Sequence, residues 1–141
     1  MANAVYNKFK NLTFLQDINL LSATVKVALV EGYSPDVDNH EFFSDVLAYE
    51  VSGTNYTSGG SELQNKSLTR DDLNDRVKFD ADDVEWTQAT LTADGAIVYS
   101  DEGVTSASPL ITFVDFGEDK IARNTTFKIT WSAYEGIMYL S

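Results

Sequence analysis

The strongest constraint on the fold comes from residues 76–116, which hold four short runs rich in β-branched and aromatic side chains. Residues 76–79 and 84–87 alternate apolar and polar side chains, the period of a strand with one buried face. Residues 95–99 and 110–116 are almost unbroken apolar runs, as expected of strands covered on both faces. We therefore predict that this block forms the middle of a β-sandwich or jelly roll.

Further strand patterns lie on both sides of the block, and turn signals such as residues 117–120 separate the runs. Trp86 and Trp131 fall on the apolar phase of their runs and are predicted to lie in the core. The runs outside the central block are residues 24–30, 61–69, 125–131 and 136–140. About eight short strands predict a single all-β domain, residues 16–141, without an internal repeat or a linker.

Two segments depart from the strand pattern. Residues 39–48 carry apolar side chains at helical spacing, after an Asp38 and Glu41 pair with the form of a capping box, and they predict one short helix. Residues 1–15 are also rich in apolar side chains, and their spacing suits either a short helix or an arm that docks on a neighbouring molecule.

The composition narrows the classes of function. A chain of 141 residues with 43% hydrophobic residues is long enough for one domain with a real core. It has no cysteine, so neither disulfides nor a thiolate metal site are expected. The formal net charge of -12 makes nucleic acid a poor partner, because phosphate binding requires clustered Lys and Arg. Neither a secretory signal nor a membrane span is expected from the sequence.

Few residues suggest a catalytic or metal-binding site. The single histidine, His40, lies in an acidic segment without the sequence context of a catalytic serine, so a surface role near the predicted helix is favoured. Asp80, Asp82, Asp83 and Glu85 form the densest group of carboxylates. The first three would be the place for a cation if one bound, although the spacing does not match a calcium-binding helix–loop–helix. We expect no catalytic residues, no cofactor and no resident metal.

Several stretches together resemble a family of small structural proteins encoded by tailed bacteriophages. The resemblance covers nearly the whole chain and rests on residues 1–9, 25–30, 40–46, 56–60, 79–84 and 108–111, together with the Asp115-Phe116-Gly117 triplet. It implies a β-rich virion protein, most plausibly a capsid decoration or cement protein that binds and stabilises the assembled phage head. It carries over no enzymatic residues.

The resemblance also implies partners and a location. The major capsid protein would be the partner, the chain would be a homo-oligomer, and its place would be the capsid exterior after assembly in the host cytoplasm. Val5, Tyr6 and Phe9 are the predicted contact anchors on the shell or on a sister subunit. The alternatives are a tail or adsorption component and a carbohydrate-binding β-domain, since seven tyrosines and two tryptophans could supply a stacking platform. An enzyme using paired carboxylates ranks last.

Overall fold

The computed structural model describes residues 3–141 as eight strands in two antiparallel sheets with one α-helix, which confirms the predicted all-β sandwich class. The larger sheet has the strand order β1-β7-β6-β2-β3, and the smaller has the order β4-β5-β8. The elements, in chain order, are β1 (Ala4–Val5), α1 (Asn7–Phe14), β2 (Val25–Val30), β3 (Ser61–Glu62), β4 (Ser67–Asp71), β5 (Arg76–Asp80), β6 (Val84–Ser100), β7 (Leu110–Ile129) and β8 (Met138–Leu140).

The main core lies between the two sheets. β2 and the first part of β6 direct apolar side chains towards the smaller sheet, which contributes Phe79 and Met138 from its inner face. Trp86 and Trp131 are both buried in this core, as predicted from the phase of their runs. Burying large side chains of this kind stabilises the fold by roughly 1.5–3 kcal/mol each relative to leaving them exposed.

A second core lies on the opposite face of the larger sheet and is mainly aromatic. Phe43 stacks on Tyr99 with ring centroids 4.0 Å apart, and Tyr33 packs edge-to-face on Phe113. The hydroxyl oxygens of Tyr6 and Tyr33 lie 2.8 Å apart inside this core. Burial, reinforced by Tyr33, raises the pKa of Tyr6 well above its ordinary value, because no water reaches the hydroxyl to stabilise a phenolate.

The two central strands are much longer than the sequence predicts. β6 and β7 run for 17 and 20 residues, so the pairs of short strands predicted in each are continuous. The predicted turn at residues 117–120 falls inside β7, where residues 116–119 lie opposite the single residue Asp94 of β6. The residues with the composition of a turn therefore form a large β-bulge, which bends the strand without ending it.

Smaller bulges occur further along the same strand pair. Gln88 of β6 and Asn124 of β7 have φ angles of 50° and 52°, and the register between the strands shifts beside each of them. A side-chain amide supports the first bulge, since Asn55 donates hydrogen bonds to the carbonyl oxygens of Thr87 and Gln88. These bulges add twist, so the far half of the β6–β7 pair bends over the main core.

The helix predicted at residues 39–48 does not form. That segment forms only two 3₁₀ turns, Phe43–Asp45 and Leu47–Tyr49, and the α-helix lies at Asn7–Phe14, within residues 1–15, where a short helix was one of the two expectations. Residues 41–43 are held extended against residues 108–110 by backbone hydrogen bonds, which leaves no room for an α-helix. The Asp45 carboxylate, rather than the predicted capping pair, accepts the free N–H groups of the segment.

Candidate interaction site

The predicted anchors at the N-terminus lie inside the protein. Tyr6 is 0% exposed in the aromatic core and Phe9 is 1% exposed in the main core, while Val5 is half-buried in β1. Side chains buried by their own domain have no surface to offer a partner, so this structure contradicts the anchor role of Tyr6 and Phe9. Their apolar spacing reflects packing within the domain, the alternative explanation of the same pattern.

The acidic residues between β5 and β6 do not converge on one point. Asp82 accepts a hydrogen bond from the Asn65 amide at 2.6 Å, and Asp83 accepts one from the Trp131 backbone N–H at 3.0 Å. Asp80 accepts one from the backbone N–H of the next residue, at 2.9 Å. Within residues 3–141 no set of three histidine, cysteine or acidic side chains is placed to hold a metal ion. The three carboxylates instead fix the turn and the start of the Trp131 segment.

His40 joins the aromatic core at the surface. Its Nδ1 lies 2.8 Å from the Tyr33 hydroxyl oxygen, and the two rings are stacked with centroids 5.6 Å apart. A continuous chain of polar atoms therefore leads from the fully buried Tyr6 hydroxyl through Tyr33 to the half-buried imidazole. The sequence-based expectation of a plain surface residue misses this contact, because the 33–40 separation gives no periodic signal.

The feature best suited to binding is the outer edge of β7. β1 pairs only with Thr112 and Phe113, and among the described residues no other strand pairs with that side of β7. A groove of about 490 Å³ runs along this side. It is lined by consecutive residues, including the run 126–132, rather than by every second residue. A groove along one face of a strand would contact alternate residues, so this groove follows the strand edge.

The lining of the groove also includes apolar side chains. They are Trp131 and Ile137, with Phe116 and Phe127 of β7 itself. An extended peptide in the groove would therefore find both backbone hydrogen-bonding groups and apolar contacts. Those are the two requirements for adding a strand to an existing sheet.

The second half of the β7 edge, residues 120–129, is basic in an otherwise acidic protein. Between residues 120 and 129 the chain carries Lys120, Arg123 and Lys128 and no acidic residue, which is three of its ten Lys and Arg residues. Lys120 Nζ lies 2.8 Å from a Glu118 carboxylate oxygen, and Lys128 Nζ lies 3.7 Å from Asp83. The basic run is visible in the sequence, but only the strand order shows that it lies on an open edge. Because residues 117–120 were predicted to be a turn, the full length of β7 was not predicted.

No helix in the described part of the chain is both long and apolar enough to cross a membrane. Comparison with protein-family models, with curated proteins and with solved structures gives no match for this chain.

Proposed function

We propose that this chain is a virion structural protein that decorates the exterior of a tailed-phage capsid and stabilises the assembled shell. The family resemblance supports this role, and so does the open, groove-lined edge of β7, which is the observation that carries the proposal. The major capsid protein would supply an extended segment that pairs with β7. Carboxylates on that segment would face Lys120, Arg123 and Lys128.

The proposed mechanism is mass action. A protein that binds the assembled lattice but not its separated subunits shifts the equilibrium towards the lattice. At a free concentration about 100 times the dissociation constant, each occupied site adds about 2.7 kcal/mol of stability to the assembled form. Many copies on one shell would give a large combined effect, with no catalytic group required.

Strand addition suits a component that must hold its partner in one register. Backbone hydrogen bonds along the edge provide affinity, and the side chains on the groove wall select the segment. The bulge at residues 116–119 interrupts the edge, so the docked strand would pair with residues 120–129, on both sides of the smaller bulge at Asn124. Ile121, which is 58% exposed and lines the groove, would be covered by the docked segment.

Quantitative mass spectrometry of purified virions tests the function. Hundreds of copies in a fixed ratio to the major capsid protein are expected. A handful of copies in multiples of three or six would indicate a tail or portal component, and complete absence would refute the virion role.

A binding experiment with variants tests the site. Ile121→Asp should abolish sedimentation of the chain with assembled capsids, because it places a carboxylate where an apolar contact is proposed. Val104→Asp is the matched control, since Val104 is 59% exposed and lies in a loop remote in sequence from the edge. Equal binding by both variants would refute the β7 edge as the site. Unchanged thermal unfolding would show that neither variant acts by unfolding the domain.

The same groove supports one alternative, a carbohydrate-binding or adsorption role. Its volume falls in the range of small-molecule sites, and Trp131 shares the lining with the carboxylates of Asp115 and Glu135. Saturable binding of a glycan in calorimetry, lost in Trp131→Ala when folding is retained, would favour this alternative. Capsid binding without glycan binding would favour decoration.

A further inference from the structure

The hydrogen-bonded chain in the aromatic core has room for only two protons. It consists of two contacts, one between the Tyr6 and Tyr33 hydroxyl oxygens and one between the Tyr33 hydroxyl oxygen and His40 Nδ1, and each is 2.8 Å long. Tyr6 is 0% exposed and Tyr33 is 2% exposed, and within residues 3–141 neither hydroxyl has a further hydrogen-bond acceptor. Each proton on these three atoms must therefore lie in one of the two contacts.

The proton count selects one form of the imidazole. Each tyrosine hydroxyl brings one proton, so both contacts are filled when Tyr6 donates to Tyr33 and Tyr33 donates to an unprotonated Nδ1 of His40. The neutral imidazole then carries its proton on Nε2. A proton on Nδ1 would be a third donor for two contacts, so one buried donor would lose its acceptor, which is unfavourable.

A protonated imidazole has other partners close by, because Asp36 and Asp45 both interact electrostatically with His40. Hydrogen bonds from the Asn39 side chain lower the pKa of Asp36, with a smaller contribution from His40. Hydrogen bonds from the Phe42 N–H lower the pKa of Asp45, again with a smaller contribution from His40. Both carboxylates are therefore ionised in the pH range in which histidines take up their second proton. A cationic imidazole would gain by turning from Tyr33 towards them.

The other charged groups around His40 act in the same direction. The charged side chains on this segment and on the adjacent part of α1 are Lys8, Lys10, Asp36, Asp38, Glu41 and Asp45. Carboxylates outnumber lysines in this set, so the surface side of His40 favours a positive charge. On the inner side, β7 and the second 3₁₀ turn present the aromatic rings of Phe113 and Tyr49 to Tyr33 rather than charged groups.

The change of partner requires only the imidazole to move. The backbone of the turn is fixed, since the N–H of His40 donates to the Asp36 carbonyl oxygen and the N–H of Asn39 donates to the Asp36 carboxylate. Rotation of the His40 side chain would therefore exchange Tyr33 for the carboxylates without unfolding the turn. The Tyr33 hydroxyl would then face the space that the ring has left, where water can enter.

We propose that His40 is a pH-dependent switch, which closes the aromatic core when the imidazole is neutral and opens it to water when the imidazole is protonated. In the closed form the imidazole is stacked on the Tyr33 ring, with centroids 5.6 Å apart, and Nδ1 accepts the hydroxyl proton. In the open form the imidazole faces Asp36 and Asp45, and water replaces Nδ1 as the partner of Tyr33. The main core lies on the other face of the larger sheet, so the change is confined to the aromatic side.

Nuclear magnetic resonance of the full chain tests the closed form. Because the chain has one histidine, the imidazole signals belong to His40 without ambiguity. At about pH 8 the nitrogen shifts should show a proton on Nε2 and none on Nδ1, and the hydroxyl protons of Tyr6 and Tyr33 should exchange slowly with water. A proton on Nδ1, or hydroxyl protons that exchange as fast as those of an exposed tyrosine, would overturn the proposal. This measurement needs no substitution, so it does not depend on the folding of a variant.

Acidification to about pH 5.5 tests the switch, because histidines are then largely protonated while most carboxylates stay ionised. The hydroxyl proton of Tyr33 should exchange about 10-fold faster than at about pH 8, since closing the core then requires the loss of a proton and the closed-to-open ratio falls by up to tenfold per pH unit.

His40→Asn is the matched control for the acidification. Its amide oxygen can accept the Tyr33 proton near the position of Nδ1, and the amide does not titrate, so this variant reports the ordinary effect of pH on hydroxyl exchange. The additional 10-fold acceleration should therefore occur in the wild type alone. Equal pH dependence of hydroxyl exchange in the wild type and in His40→Asn would refute the switch. This inference does not depend on the virion role, because it is tested with the isolated chain.

Discussion

The buried pair of Tyr6 and Tyr33 gives a quantitative test of the aromatic core. Tyr33→Phe removes a hydroxyl that lies 2.8 Å from both the Tyr6 hydroxyl and His40 Nδ1. The Tyr6 hydroxyl, fully buried, then loses its partner, which should destabilise the fold by about 1–3 kcal/mol. Losing the contact with the half-buried His40 adds less, since water can replace it, so we expect about 2–3 kcal/mol in total.

The reciprocal variant should have a smaller effect. Tyr6→Phe leaves Tyr33 in contact with His40 and should cost about 0.5–1.5 kcal/mol. The double variant removes both hydroxyls and leaves neither stranded, so its effect should fall short of the sum of the single effects by about 1 kcal/mol or more. The physical reason is that a buried hydroxyl without a hydrogen-bond partner destabilises the fold more than the complete removal of that hydroxyl.

Urea unfolding followed by tryptophan fluorescence measures all three free energies of unfolding, provided that the slope with urea is unchanged. Tyr134→Phe is the control, because Tyr134 is largely exposed and its hydroxyl should contribute within about 0.5 kcal/mol. Additive effects of the two core substitutions, or a Tyr33→Phe variant as stable as the wild type, would refute the proposed dependence of the Tyr6 hydroxyl on Tyr33.

Two further predictions concern a close backbone contact and alkaline pH. Gly60→Ala should be severely destabilising, because the new Cβ would collide with the Val27 carbonyl oxygen. Gly103→Ala is the control: Gly103 also has a positive φ but faces open space, so this variant should lose only about 1 kcal/mol of stability. Similar melting temperatures for the two variants would contradict this prediction. Burial, helped by nearby carboxylates, raises the pKa of Tyr56 and Tyr99. Each tyrosine therefore contributes its full share to the free energy of unfolding below about pH 10, and up to about 1.4 kcal/mol of that share is lost per pH unit above it, because only the unfolded chain releases the proton. An equal urea midpoint at about pH 8 and about pH 11 would exclude this effect.

Local patterns predicted the strands well where the strand is short and regular. β2 and β5 lie where the alternation of apolar residues predicts them, and both tryptophans are in the core. The same rules divided each of β6 and β7 into two short strands. In β7 the reason is that Gly117 with its charged neighbours has the composition of a turn, whether the chain reverses there or only bulges. Whether the strand continues is decided by pairing with β6, which is not a local property.

The wrong helix prediction at residues 39–48 has a similar cause. The apolar spacing in residues 39–48 is real, since Phe43 and Val46 are both buried, but it arises from an irregular segment pressed onto the aromatic core from one side. Tertiary contacts with residues 108–110 override the helical preference.

The charge of β7 disfavours self-pairing along its open edge. Two copies of β7 pairing edge to edge would bring Lys120, Arg123 and Lys128 of one chain against the same residues of the other, which like-charge repulsion disfavours. An open edge normally invites such self-pairing, and charged residues and bulges are the usual protection against it. β7 has both, with the bulge at residues 116–119. Both features act against self-pairing, and they would leave residues 120–129 of the edge open to an acidic partner.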